Sequence, residues 1–260
     1  MFPDMARVDA AIREVAAAEI LPRFRNLAAA DMREKQPGQL VTIADTEAER
    51  RLTPMLMALL PGSVVVGEEG VADDATRLGW VASEPSVWLV DPVDGTQNFA
   101  ESKPVFATMV ALLRQGRAVA SWIYDPVSGR MAMAEQGSGA FLDGGRLAVA
   151  AAVPPDQMRA RLSGKAAKRL HGKVGAIFNL RCAGHEYLTL ARGDAHVGLY
   201  RRLYPWDHAP GDLLFREAGG FAARLDGSAY DPAEIDASLL LAPDRASWEP
   251  LQALIAAELS

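Results

Sequence analysis

The stretch WLVDPVDGTQNF, Trp88 to Phe99, runs three apolar residues into two aspartates three positions apart. Trp88-Leu89-Val90 reads as a buried strand, which Asp91 closes and the Pro92–Gly95 turn bends away. A lone carboxylate at such a strand end has lost its water and is costly to keep charged. Taken alone, DPVDG is an ordinary surface turn, so its meaning depends on what converges with it. Working outward, the apolar run Val64-Val65-Val66 closes in Glu68 and Glu69, and Asp207 stands at the start of the helical segment WDHAPGDLLF. Alone, GEE is a solvated strand end and Asp207 a helix cap. Together they are a set of acids that needs a cation. Hard divalent ions such as Mg²⁺ take carboxylate and carbonyl oxygens, and the Val93 carbonyl offers one more. After Asp94, Gly95 permits close backbone approach, Thr96 offers a hydroxyl, and Gln97-Asn98-Phe99 begin a helix whose free N–H groups favour an anion. Metals beside an anion cradle point to phosphate chemistry, in which two ions about 4 Å apart serve an in-line displacement.

The rest of the chain sets bounds on that reading. Its 260 residues, half of them apolar, suffice to bury roughly 70–75% of the unfolded surface. A net charge of −6 argues against a general nucleic-acid binder, whose footprint is basic. Cys182 is the single cysteine, so no intrachain disulfide can form and a reducing compartment fits best. The segment MFPDMARVDAAIRE does not read as a secretory signal, and no run approaches the ~20 apolar residues of a membrane helix. A cytoplasmic protein is expected.

Apolar spacing predicts helices over Val8–Phe24, ending or kinking at Pro22, and over Thr46–Leu59, with Asp45 as N-cap. From Val105 to Val149, short apolar segments alternate with the turn signals QG, DPVSG, QGSG and DGG, the pattern of an antiparallel meander. Pro154-Pro155 marks a boundary between an N-terminal α+β lobe, residues 1–150, and a C-terminal α/β lobe, 151–260. In the second lobe VGAIFNL, HVGLY and SLLLAP read as strands. EYLTLARG, WDHAPGDLLFREAGG and SWEPLQALIAAEL read as helices, the second stopping at Gly219-Gly220.

GEE at Gly67–Glu69, WLVDPVDGTQNF, WDHAPGDLLFREAGG at Trp206–Gly220 and VTIADTEAE at Val41–Glu49 resemble, in order and spacing, the motifs of the inositol monophosphatase family. The resemblance covers roughly residues 35 to 220. It implies a Mg²⁺-dependent, lithium-sensitive phosphatase with two to three ions, assembled as a homodimer. The implied fold is α/β (α+β), a layered α-β-α-β-α sandwich of the inositol monophosphatase/fructose-1,6-bisphosphatase type. By the same resemblance Glu68, Asp91 and the Val93 carbonyl bind a first metal, and Asp91, Asp94 and Asp207 a second. Glu68 and Thr96, with Asp45, orient the attacking water. Gly95 and Thr96 N–H groups hold the phosphate, and Asp45, Lys35 and Glu69 stand further out, where a third, weaker ion sits. Asp94, Lys35, Gly184, Tyr200 and Arg201 complete the implied substrate side.

Two departures bear on the substrate. Where inositol phosphatases place a carboxylate about seven residues before the WD aspartate, this chain has Tyr200, followed by Arg201 and Arg202. The small-residue segment of the same pocket reads Arg181-Cys182-Ala183-Gly184. Both suit a leaving group other than inositol, one carrying a second anion. The enzyme alternatives are a 3′(2′),5′-bisphosphate nucleotidase and a histidinol or sugar phosphatase. The alternative of another class is a non-catalytic RNA- or protein-binding regulator on the same fold. The basic run from Arg159 to Lys173 reads as a solvated face rather than a phosphate-binding patch. His208 reads as a packing residue, since Mg²⁺ prefers oxygen. Cys182 reads as a pocket wall rather than a nucleophile.

Overall fold

The computed structural model describes residues 3–36 and 39–259. Met1 and Phe2 of the N-terminal segment, with Pro37, Gly38 and Ser260, lie outside the described residues. Helix α1 (Met5–Val15) begins at Asp4, whose carboxylate accepts the Ala6 and Arg7 N–H groups, and a π turn, Ala16–Ile20, continues it toward Pro22. An antiparallel hairpin follows, β1 (Met32–Gln36) against β2 (Gln39–Thr42). The sequence MREKQ gives no apolar alternation, so the expectations above do not include it. Helix α2 (Ile43–Leu59) starts earlier than the apolar spacing predicts. Thr42 is its N-cap and Asp45 is the third helical residue, its carboxylate accepting the Thr42 N–H at 2.9 Å. That reciprocal box satisfies two orphan donors at the helix start.

Strand β3 (Val64–Gly67) runs into α3 (Glu68–Asp73), so Glu68 and Glu69 open a helix rather than close a strand. The reason lies in α2. The Glu49 carboxylate accepts the Glu69 and Gly70 N–H groups at 2.9 and 2.7 Å and so caps α3. Gly67 makes room, since a Cβ there would lie 2.3 Å from the Glu49 carboxyl carbon. Next come α4 (Trp80–Ser83), β4 (Ser86–Asp94) and the short α5 (Thr96–Ala100). The meander follows as β5 (Ala107–Arg114), β6 (Arg117–Asp125), β7 (Arg130–Glu135), β8 (Gly139–Leu142) and β9 (Gly145–Arg146). With β3 parallel to β4 and every later pair antiparallel, these make a seven-stranded sheet in chain order.

The remaining elements are β10 (Ala160–Arg161), α6 (Gly164–Arg169), β11 (Ile177–Phe178), α7 (Ala183–Ala191), β12 (Val197–Arg201), α8 (Pro205–Glu217), β13 (Phe221–Arg224), β14 (Ser238–Ala242) and α9 (Arg245–Leu259). Their sheet has the order β11-β10-β12-β14-β13. VGAIFNL contributes only Ile177 and Phe178 to it, and β10 and β13 carry no strand signal strong enough to be read in advance.

Period-two alternation sorts the strands into layers. In β4, Trp88 and Val90 pack with Val8, Ile12, Leu52 and Leu56 of α1 and α2, whereas Val87 and Leu89 pack with Tyr187, Leu213 and Phe215 of α7 and α8. In β14, Leu239 and Leu241 face α7 and α8, while Leu240 and Ala242 face Trp248, Leu251 and Ile255 of α9. The order is therefore α1/α2, seven-stranded sheet, α7/α8, five-stranded sheet, α6/α9. This is the five-layer α-β-α-β-α architecture. Among the described residues, no helix is long and apolar enough to cross a membrane.

The middle layer is tight. A Cβ on Gly211 of α8 would lie 2.1 Å from the ring of Tyr187, itself fully buried. Gly211→Ala would gain about 1 kcal/mol of helix propensity against an overpacking cost of about 1–3 kcal/mol. Because the Tyr187 ring is fully buried, we expect a net loss of up to about 2 kcal/mol, read as a lower urea midpoint at unchanged slope. An unchanged or raised midpoint would show that the layer yields.

Candidate metal centre and cleft

Asp91 follows Val87 and Leu89 in alternation, so it points toward α8. Three residues on, strict alternation would turn Asp94 to the opposite face. A bulge prevents this: Asp91 pairs with Met109 and Asp94 with Ala107, one residue extra on β4. Both aspartates therefore face the middle layer. Pro92, which has no N–H for the ladder, sits inside the bulge, where proline is tolerated, and its carbonyl accepts the Thr108 hydroxyl at 2.8 Å.

Asp207 comes to the same place from α8, as the third helical residue after Pro205 at the first. Ligand oxygens of Glu68, Asp91 and Asp207 lie within 4.8 Å of one another. Burial, together with repulsion from Glu68, Asp94 and Asp207, pushes the Asp91 carboxyl well up. Burial also raises Asp207, with Glu68 and Asp94 adding to it. Lys35, on the β1 strand, reaches in to Glu68 Oε1 at 2.9 Å and Glu69 Oε1 at 2.7 Å. Burial opposes its charge, but Glu68 and Glu69 prevail and hold the ammonium above its ordinary range. One ammonium does not balance this many acids. A crowd of oxygen donors with too little positive charge suits a hard divalent cation, so the residues fit Mg²⁺.

Asp94, close enough to repel Asp91 and Asp207, is also braced by the start of α7. Its oxygens accept the Ala183 and Gly184 N–H groups at 2.9 and 2.6 Å and the Cys182 thiol at 2.9 Å. Gly184 thus backs Asp94 from behind rather than lining the cleft. The Thr96 hydroxyl lies 3.0 Å from both Asp45 Oδ1 and the Val93 carbonyl oxygen. Burial raises Asp45 to about 7, with Glu68 and Glu69 adding to it against the Thr42 hydrogen bonds. Gly95 turns the chain at φ +90°, a left-handed conformation glycine adopts without strain, and a Cβ there would crowd the Val105 carbonyl at 3.0 Å.

These residues border a cleft of about 730 Å³ whose lining includes Lys35, Glu68, Gly95, Thr96, Arg181 and Asp207. Tyr200 and Arg201 are not brought to it. Tyr200 faces the middle layer, buried, its ring stacked on Tyr187 at 4.9 Å and under the Arg161 guanidinium at 4.3 Å. Arg201, the next residue in alternation, lines a separate recess with Arg202, Arg224 and Glu234. Of the arginines invoked for a second anion, only Arg181 reaches the cleft. Of the basic run from Arg159, Lys165, Lys168 and Arg169 stand exposed on α6, while other members are engaged locally. Arg161 pairs with buried Glu186 at 2.6 Å, Arg159 lies over Phe178, and Lys173 pairs with Glu258. His208 packs at 3.1 Å from the Tyr187 hydroxyl, and burial lowers it to about 3. Burial and Asp94 push the Cys182 thiol up, away from nucleophile chemistry.

Fold and site define a layered α/β protein in which a cluster of carboxylates that could hold a metal ion borders a cleft of about 730 Å³. The profile of the inositol monophosphatase family matches residues 4–260. The chain is 36% identical over 209 residues to an inositol-1-monophosphatase of Rhizobium meliloti, covering 74% of this chain and 75% of that one. It is 30% identical over 214 residues to the Nus factor SuhB of Escherichia coli, covering 76% and 77%. In structure it resembles an inositol monophosphatase of Thermotoga maritima, with a TM-score of 0.81, 22% identity and 98% of each chain covered. The chain belongs to the inositol monophosphatase family, and its fold is that family's.

The crowding has a measurable consequence. Asp91→Asn removes one buried charge, keeps an acceptor for the Val93 N–H that Asp91 Oδ1 now receives at 3.0 Å, and adds a donor toward Asp207. In chelator the variant should melt higher than the parent, by about 2–4 °C for each kcal/mol relieved. Its stabilisation by added Mg²⁺ should largely vanish. A lower melting point in chelator would mean that the acids do not repel as described.

Proposed function

We propose that the protein is a Mg²⁺-dependent phosphomonoesterase acting on a small phosphorylated metabolite. The observation that carries this reading is the convergence of Glu68, Asp91 and Asp207 beside the Gly95–Thr96 helix start. Glu68, Asp91, Asp94, Asp207 and the Val93 carbonyl would hold two to three Mg²⁺ ions. When bound, Mg²⁺ supplies positive charge that polarises a phosphate ester and the attacking water.

The chain's own groups do the rest. The first N–H groups of α5 have no acceptor within the helix, so those at Gly95 and Thr96 are directed to the phosphate oxygens. A water donating to Thr96 Oγ1 is oriented by a hydroxyl that Asp45 and the Val93 carbonyl hold in place. Asp45 is the terminal proton acceptor of that short chain, and Glu68 is the second acceptor for the same water. Lys35 fixes Glu68 and Glu69 and adds positive charge beside the transferred phosphate. A homodimer, inhibition by Li⁺ and a cytoplasmic location belong to the same reading.

A second reading, a regulator that binds RNA or protein, is favoured by the likeness to the SuhB relative. The pairing of Arg161 with Glu186 and of Lys173 with Glu258 reduces the Arg159–Lys173 run as a basic docking patch, and the two roles are compatible.

Inorganic phosphate release should be measured across inositol, sugar, histidinol and nucleotide phosphates, with Mg²⁺, with chelator and with Li⁺. Turnover should need Mg²⁺, and Glu68→Gln should lower kcat by about 10²–10⁴-fold, the usual worth of a positioned base. Failure to hydrolyse any ester in Mg²⁺ would overturn the assignment.

A further inference from the structure

Beside Asp207, the cleft is lined by two aromatic rings that the proposed chemistry does not use. Tyr204 and Trp206 are stacked, centroids 5.4 Å apart and planes 10° from parallel. Both line the same cleft as Glu68, Gly95, Thr96 and Asp207. Trp206 is the inner ring, only 5% exposed, and Tyr204 the outer, half-buried one.

The backbone makes the pair rigid. Tyr204 precedes Pro205, which disfavours the helical conformation at Tyr204; its φ −56° and ψ 131° are extended, and it caps α8 from outside. Pro205 opens the helix with its own φ locked. The Tyr204 carbonyl accepts the Asp207 N–H at 3.2 Å and the His208 N–H at 3.2 Å. The Tyr204 backbone is thus held within about one helical turn, ~5.4 Å of rise, of Asp207. That is the separation between a phosphate and the body of a small alcohol esterified to it. Two of the polar residues that line the same cleft offer a polyol little. Asp73 is exposed, and the Gln97 amide already donates to Glu101 at 2.7 Å.

We propose that Tyr204, backed by Trp206, is a stacking platform for the leaving group, so that the preferred substrate is the phosphate ester of an alcohol bearing a planar heteroaromatic ring. The inference rests on the phosphatase reading above and narrows it. A flat ring lays one face on Tyr204 and displaces water from it, whereas a puckered polyol covers that face poorly. Stacking on an aromatic side chain is tolerant of ring identity, so a nucleobase and an imidazole share this chemistry.

The test compares kcat/KM, in Mg²⁺, for adenosine 2′-phosphate and histidinol phosphate as planar esters with myo-inositol 1-phosphate and glycerol 2-phosphate as aliphatic ones. Wild type should favour at least one planar ester, and which one separates the base from the imidazole. In Tyr204→Ala the planar-to-aliphatic ratio should fall roughly tenfold or more, mostly through KM. Tyr204→Phe should keep the ratio. Tyr204→Leu, which still covers Trp206 with an apolar side chain, should lose it. If Tyr204→Leu keeps the ratio as well as Tyr204→Phe does, Tyr204 only shields Trp206 and the platform is overturned. Equal wild-type preference for aliphatic esters overturns it too, while leaving the phosphatase assignment standing. If no ester of either class is hydrolysed, the phosphatase assignment falls, and the platform with it.

Discussion

Repulsion among carboxylates is the constraint around which this molecule is arranged. Glu68, Asp91 and Asp207 come from a helix start, a strand and a second helix start, and at such close quarters each disfavours the charge of the others. Each is held by covalent position in an element whose other face is well packed. Asp91 is carried by a strand whose every residue is buried, so it cannot retreat to solvent without withdrawing Leu89 and Val90 from two cores. Glu68 is pinned by Glu49, which caps α3 behind it. Lys35 offsets part of the charge, and the α7 start takes up Asp94. Packing energy from three cores thus maintains a local arrangement that is unfavourable on its own, as expected of a functional site.

Much of this was legible because the acids sit at ends of strongly patterned segments. The apolar runs before Glu68 and Asp91 and the long amphipathic segment after Asp207 locate the three residues that the fold brings together. The meander was legible from its turns, and the five layers follow from alternation in strands such as β4 and β14. What escaped had no periodic signal. Strand β1 is largely charged and polar, β10 and β11 are two residues each, and the bulge that turns Asp94 inward is a register shift between chains of contacts that no local pattern records.

The substrate side was misread for a different reason. Tyr200 and Arg201 occupy the right interval before Asp207, but an interval does not say which face of a strand a side chain takes. Tyr200 points into the middle layer, and Arg201 points away to a separate recess. The residues that do wall the cleft, Tyr204 and Trp206 among them, are fixed by the extended turn before Pro205. Aromatic residues at such a turn read in sequence as ordinary packing.

Helix α8 lies between the two sheets, and it belongs to the later part of the chain. During synthesis the whole seven-stranded sheet leaves the ribosome before Pro205 is made. Until then the face carrying Leu89, Met109, Ala111 and Ile123 has only α7, with Tyr187 and Leu190, to cover it. The nascent protein therefore passes through a stage with a broad oily surface and a partly assembled nest of acids, the condition in which chains associate wrongly or engage chaperones. The arrival of Leu213, Leu214 and Phe215 ends that exposure at the moment Asp207 completes the acid cluster. Closure of the core and assembly of the centre are one event.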